Sequence, residues 1–308
     1  MDKAPKGFIP VMLTPFKNNG DIDYNILTQL TEIYLKAGAV GLFANCLSSE
    51  MFELEDEEKL QAIKHIINIV DGAVPVVATG TFGGPISKQA DFVKRVHDTG
   101  TNAVIAITSL LAAEHESDAI FNDRVADLFK QTDNIPLGFY ECPVPYKRLL
   151  SPAQLIDFVA TGRVIYHKDT CLDINQVKEK LVAGKANPAF GLYDAYMVHA
   201  VESLKAGSAG LSCIQGNFFP ELIVWLCRNY DDASKAHEVS MTQQFLIDNM
   251  DVMHHVYPII AKYWLNKRGL NISTITRRNV GVFSPATRKK VEYLYNDYSS
   301  LKSKLGIA

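Results

Sequence analysis

A recurring unit constrains this chain more than any other feature: a short apolar, β-branched run followed by a stretch with apolar residues at helical spacing. Such runs begin near residues 7, 40, 74, 103, 135, 164, 188 and 210, at intervals of 22 to 34 residues. Most are almost continuously apolar, as in Val40-Gly41-Leu42-Phe43-Ala44 and Ala103-Val104-Ile105-Ala106-Ile107. Strands apolar on both faces and joined by helices form a covered parallel sheet. Eight such units without a long insertion predict an α/β fold closed into a (β/α)8 TIM barrel. An open doubly wound sheet is the competing solution, but it would want a Gly-x-Gly-x-x-Gly after the first strand, and none is present.

Local signals agree with the repeat. Asp23 can cap a helix whose apolar positions are Ile26, Leu27, Leu30, Ile33 and Tyr34, and Gly38 can end it. Glu55-Asp56-Glu57-Glu58 supplies acidic residues for the start of the next. The expected division is a barrel over residues 1–220 and a C-terminal helical extension over 221–308, packed on the barrel or building a subunit interface. Within and just after that boundary, helices are expected over 221–228, 233–255, 258–268 and 285–298.

Composition narrows the partners. The chain is 47% hydrophobic and 21% charged with a net charge of −3, so nothing favours nucleic acid or an anionic membrane. The first residues lack the apolar core of a signal peptide, and the apolar run Leu222-Ile223-Val224-Trp225-Leu226-Cys227 is far short of a membrane span. Five cysteines without paired spacing fit reduced thiols in a cytoplasmic protein. Cys46, Cys142, Cys171 and Cys213 all fall near strand ends, where several thiols could line one mouth; small buried hydrophobes explain them better than a metal or redox role. There is no Cys-x-x-Cys and no His-x-x-x-His, and neither metal nor cofactor is expected.

Barrel active sites lie at the C-terminal ends of the strands. The residues delivered there are Thr14, Ser48, Ser49, Glu50, Tyr140, Glu141, Lys168 and the segment 212–217. Lys168 ends the apolar run Val164-Ile165-Tyr166. Taken alone, a strand-end lysine more often reaches water, and a tyrosine like Tyr140 is often a core-edge residue. Together, at the ends of adjacent strands, they are a coherent pair. A lysine kept from water has a depressed pKa and attacks carbonyls, and a phenol can carry the proton released or taken up.

At these residues the sequence resembles the dihydrodipicolinate synthase / N-acetylneuraminate lyase superfamily of Schiff-base aldolases, along the whole chain. The resemblance rests on Thr14-Pro15-Phe16, on the segment ending Ser48-Ser49-Glu50, on Tyr140-Glu141-Cys142-Pro143, and on Lys168-Asp169-Thr170. It continues through Gly191-Leu192-Tyr193-Asp194 and the stretch from Gly210 to Gly216-Asn217, with Pro258 and Lys262 near the end. It implies that Lys168 forms a Schiff base with pyruvate or a related 2-oxo acid, and that Tyr140 shuttles protons with help from Ser48. It further implies that the Ser48 and Ser49 amides hold the keto acid's carboxylate, with the Ser212 backbone facing it. The partner substrate would be an aldehyde, and the assembly a homo-oligomer, dimer or tetramer.

Three departures separate this chain from the family pattern. Cys46-Leu47-Ser48-Ser49-Glu50 replaces Gly-Thr-Thr-Gly-Glu, so the tight loop must be built without glycine. Leu110-Leu111 stands where paired tyrosines are common, one of which reaches a neighbouring subunit. Pro145 takes the place of a substrate-binding arginine, and Lys147 or Arg148 could supply a cation from a shifted loop. The expectation is a C–C bond-forming or bond-breaking lyase other than dihydrodipicolinate synthase itself. A Schiff-base sugar-acid dehydratase or hydratase-aldolase and a catalytically degenerate keto-acid-binding barrel are the alternatives.

Overall fold

The apolar runs become eight short parallel strands: β1 (Gly7–Phe8), β2 (Leu42–Ala44), β3 (Val76–Thr79), β4 (Ala103–Ile107), β5 (Leu137–Tyr140), β6 (Val164–Asp169), β7 (Gly191–Asp194) and β8 (Gly210–Leu211). This computed structural model describes residues 3–307. Each strand pairs with its successor from β2 to β8, and β8 pairs with β1. The ring closes where residues just past β1 meet β2: Val11 bridges Phe43, and the Phe43 amide donates to Pro10 O at 2.9 Å. The result is the (β/α)8 barrel that the repeat predicts.

Helices α1 (Tyr24–Ala37), α2 (Asp56–Val70), α3 (Ile86–His97), α4 (Asp118–Gln131), α5 (Pro152–Ala160), α6 (Ile174–Lys180) and α7 (Ala200–Ala206) connect the strands. The Asp23 side chain accepts from the Ile26 amide to start α1, and Gly38 ends it in left-handed backbone. Helix α8 (Pro220–Asn229) packs on β1, β8 and α1 and completes the outer ring. Beyond it lie α9 (Ala236–Asp248), α10 (Met250–His254), α11 (Ile259–Lys267) and α12 (Pro285–Leu305). The single helix expected over 233–255 is thus broken at Asn249, which separates α9 from α10. None of the helices described is long and apolar enough to cross a membrane.

Two cores result from the alternation of side chains along the strands. Val11, Phe43, Val77, Ile105, Ile107 and Tyr166 fill the barrel, while Val104, Ala106, Leu137, Val164 and the helix faces form the shell outside it. One irregularity decides which way the end of β6 faces. Between β5 and β6 the register slips, so that Val164 matches Leu137 but Tyr166 matches the very next residue, Gly138. The extra residue is a β-bulge, and it reverses which face follows. Val164 faces the shell, yet Tyr166 and Lys168 face the barrel interior, and His167 and Asp169 face out. Gly138 makes the bulge possible, since a Cβ there would lie 2.8 Å from the Tyr166 Cβ.

Candidate active site

Tyr140 and Lys168 are register partners on β5 and β6. Lys168 is 4% exposed, and its Nζ lies 4.3 Å from the centre of the Tyr140 ring and 5.9 Å from that of Phe43. The buried carboxylates nearby belong to other ammonium groups: Glu141 and Asp169 to Lys180, and Glu50 to Lys262. Burial therefore pulls the Lys168 pKa below the ordinary lysine value, with only weak opposition from the thiols of Cys46, Cys142 and Cys213. Burial also drives the Tyr140 phenol well above its ordinary value. Burial thus favours the neutral form of both the amine and the phenol.

Three of the four strand-end cysteines do gather around this lysine. Burial pushes the Cys213 thiol up to about 12 and raises that of Cys142, so both remain protonated and act as small apolar groups. Cys171 lies apart from them, on the outward side with Asp169, and its thiol donates to Asp173 O at 3.3 Å.

Lys168, Tyr140, Ser48 and Ser212 all line one cavity of about 500 Å³ at the C-terminal mouth of the barrel. Ser48 belongs to a 3-10 turn, Leu47–Ser49, that replaces the glycine loop. Asn45 and Glu50 take the left-handed conformations on either side of it, at φ 51° and 57°. Ser49 is absent from the cavity wall. Its amide donates to Cys46 O at 2.9 Å, its hydroxyl donates to Met12 O at 2.7 Å, and its carbonyl accepts from Thr14 at 2.8 Å. Ser49 fastens the turn, and Leu47 takes its expected place on the wall beside Ser48. The Ser212 hydroxyl accepts from the Tyr166 phenol at 3.2 Å, and its amide donates to Asp194 O at 2.8 Å.

The C-terminal segments contribute side chains that sequence reasoning missed. Tyr257, in the turn between α10 and α11, reaches the same cavity. Its phenol oxygen accepts from Asn217 Nδ2 at 2.6 Å, while Asn217 also donates to Val11 O at 2.9 Å and accepts from Tyr34. Burial raises the Tyr257 pKa, opposed by the Ser48 hydroxyl beside it. The preceding residue, Val256, is held at φ 46°, an unusual conformation for a β-branched residue. Arg278 also lines the cavity, as do Asp251 and His254 of α10, both exposed at the rim. No local motif marks either residue. Tyr257-Pro258 looks like a helix boundary, and Arg277-Arg278 like a solvated pair.

The expected substitutes for the missing arginine are occupied elsewhere. Lys147 donates to Thr170 O at 2.8 Å, and Arg148 is tied to Ala113 O, Glu116 O and Asp118. Neither faces the cavity, so the shifted-loop cation does not exist. Leu110 and Leu111 are likewise outside it. They border a separate surface groove with Pro145 and Tyr146.

Outside the barrel, directly behind Tyr140 and Lys168, Glu141, His167 and Asp169 converge as metal ligands might. Lys180 fills that position: its ammonium lies 2.6 Å from Glu141 Oε1 and 2.7 Å from Asp169 Oδ2, all fully buried. Glu141 also accepts from the amides of Leu150 at 2.9 Å and Thr170 at 3.1 Å. The cluster clasps the residues next to Tyr140 and Lys168 from behind.

A barrel whose mouth carries an inward lysine, without a carboxylate partner among the described residues, beside a phenol defines a recognisable class of α/β proteins, and comparison with known proteins specifies it further. Residues 4–297 match the model of the dihydrodipicolinate synthetase family, and the chain belongs to that family. It is 23% identical over 290 residues to the 4-hydroxy-tetrahydrodipicolinate synthase of Cellvibrio japonicus, covering 94% of this chain and 95% of that one. It is 27% identical over 244 residues to YagE of Escherichia coli, provisionally named a 2-dehydro-3-deoxy-D-gluconate aldolase, covering 78% of this chain and 79% of YagE. The structure of YagE in complex with pyruvate superposes with a TM-score of 0.83 over 98% of this chain and 99% of that chain at 21% identity. A monomeric dihydrodipicolinate synthase variant superposes with a TM-score of 0.86 at 20% identity, over 96% of this chain and 97% of that one.

Proposed function

We propose that this protein is a lysine Schiff-base aldolase that makes or breaks a C–C bond of pyruvate or a closely related 2-oxo acid. The observation that carries the reading is the buried Lys168 amine, free of any carboxylate partner among the described residues and packed over the Tyr140 ring at 4.3 Å. Membership of a family with synthase and aldolase relatives, one of them solved with pyruvate, supports it.

The neutral Lys168 amine attacks the keto carbon, water leaves, and a protonated imine forms. The imine draws electrons from the adjacent C–H bond, and loss of that proton gives an enamine. In the synthetic direction the enamine carbon attacks an aldehyde, whose oxygen takes up a proton, and water then releases the product from Lys168. Tyr140 is the group placed to carry these protons, with Ser48 and Tyr257 next along the wall. The Leu47 and Ser48 amides open a 3-10 turn, where amides lack intrahelical acceptors, and they suit the keto acid's carboxylate.

Pyruvate and borohydride test this directly. The expected result is a reduced pyruvate adduct on Lys168 by mass spectrometry, absent in Lys168→Ala. An unmodified Lys168 after incubation with pyruvate and a panel of 2-oxo acids would sink the proposal. Tyr140→Phe should still form the adduct while slowing deuterium exchange at the pyruvate methyl by about a hundredfold or more.

A further inference from the structure

We infer that Arg278 is the recognition group for the second substrate, and that this substrate is an aldehyde carrying an anionic group, carboxylate or phosphate, at the end remote from its carbonyl. The inference rests on the imine reading above and specifies its partner. Lys168 and Arg278 line the same cavity, the first from the barrel floor and the second from the segment between α11 and α12.

The backbone of Arg278 is held and its side chain is not. Its amide donates to Glu50 Oε2 at 2.9 Å, and its carbonyl accepts from the Thr276 hydroxyl at 3.0 Å. Glu50 is itself fixed by Lys262 at 2.8 Å, whose ammonium also donates to Ile275 O at 2.7 Å. The neighbouring Arg277 shows the contrast: its guanidinium is closed on Glu58 by two bonds of 2.6 Å and on Gly20 O. The Arg278 guanidinium makes no hydrogen bond or ion pair to any described residue. A guanidinium is charged at every accessible pH and presents a fork matched to carboxylate and phosphate oxygens. Half-buried on a ligand-sized cavity, with its main chain anchored through a fully buried ion pair, it is poised for an incoming anion rather than a protein one.

The other charged groups on the wall shape the same conclusion. Lys168 is committed to the keto carbon, the exposed His254 has its Nδ1 2.8 Å from Met250 O, and Asp251 beside it would repel an anion placed there while accepting from a hydroxyl. Glu53 lies near enough to Arg278 to feel its charge, but the two are not hydrogen-bonded. The anion therefore goes to Arg278, and any hydroxyl on the chain between goes towards Asp251.

The test loads the full-length protein with pyruvate and follows deuterium exchange at its methyl, which a molecule seated over the enamine slows or diverts. Succinic semialdehyde is compared with butanal, and glyceraldehyde 3-phosphate with glyceraldehyde. The anionic member of at least one pair should act at about tenfold lower concentration or better. Arg278→Gln should bring that ratio near one, and Arg278→Lys should retain part of it. Whichever pair shows the ratio identifies carboxylate or phosphate as the anion. Equal action of charged and uncharged members in the wild type, no action included, overturns the inference. So does a preference that survives Arg278→Gln. Loss of borohydride trapping in Arg278→Gln would overturn it too, by placing the guanidinium on the keto acid itself. Failure of trapping in the wild type would instead remove the imine reading beneath it.

Discussion

In the proposed mechanism Lys168 is the residue at which function and stability oppose each other. Its amine must be neutral to attack a carbonyl, and burial favours that form. Adduct formation with pyruvate should therefore rise with pH through a midpoint below the ordinary lysine value, and a midpoint at or above that value would contradict the burial argument. The sign for stability follows from proton counting. Between the lowered folded pKa and the ordinary unfolded one, the unfolded chain binds more protons, so stability rises with pH across that window and is lost as pH falls through it. Lys168→Met should stabilise the protein at neutral pH by about 0.5–2 kcal/mol, read by denaturant melts, and the advantage should shrink above pH 10. Lys168 and Tyr140 were legible in the sequence because each ends an apolar strand and the two strands are consecutive. Ser49 was not, because only the three-dimensional turn reveals that its amide, hydroxyl and carbonyl are all engaged.

At the scale of elements, β5 and β6 are aligned by the cluster behind them. Lys180 on α6 holds Glu141 and Asp169, the residues that follow Tyr140 and Lys168. Removing one member leaves buried charge of the opposite sign uncompensated, so Lys180→Met should destabilise by about 3–5 kcal/mol. Adding Glu141→Gln and Asp169→Asn to that variant should recover much of the loss. A single variant as stable as the wild type would show that the cluster does not brace the strands. Burial pulls the His167 pKa down, but Glu141 and Asp169 more than offset this, and it ends above the ordinary histidine value. Its contribution is complete below the unfolded pKa and is lost as pH rises through the folded one. A wild-type melting temperature that falls relative to His167→Asn on going from pH 6 upward would confirm the sign. The strands and helices themselves were readable from period and caps. The β6 bulge was not: Val164-Ile165-Tyr166 carries no glycine or proline to announce it, and its partner Gly138 reads as an ordinary small residue in β5.

At the scale of the whole molecule, the cavity draws its walls from both ends of one chain. Leu110-Leu111 stands where the family pattern has paired tyrosines, one of them reaching a neighbouring subunit, but Tyr257 brings a phenol to Ser48 from within the same protomer. Neither leucine touches the cavity. Specific activity should therefore stay constant on dilution through any dissociation seen by sedimentation. A fall in activity that tracks dissociation would show that a neighbouring copy supplies part of the site. Tyr257 and Arg278 escaped sequence reasoning because they reach the barrel mouth only through tertiary packing, and no local motif marks either of them. The Glu50–Lys262 pair gives that packing a place in time. Its members are 212 positions apart, both fully buried, and Glu50 also receives the amides of Arg277 and Arg278. On a ribosome adding about 5–20 residues per second, the carboxylate emerges roughly ten to forty seconds before the ammonium that neutralises it. Throughout that interval the nascent barrel cannot bury Glu50 without an unpaired charge, so the turn bearing Leu47 and Ser48 stays unlocked until synthesis is nearly over. The strands carrying Tyr140 and Lys168 leave the ribosome first, and the cavity they line is completed last, when Tyr257 and Arg278 arrive.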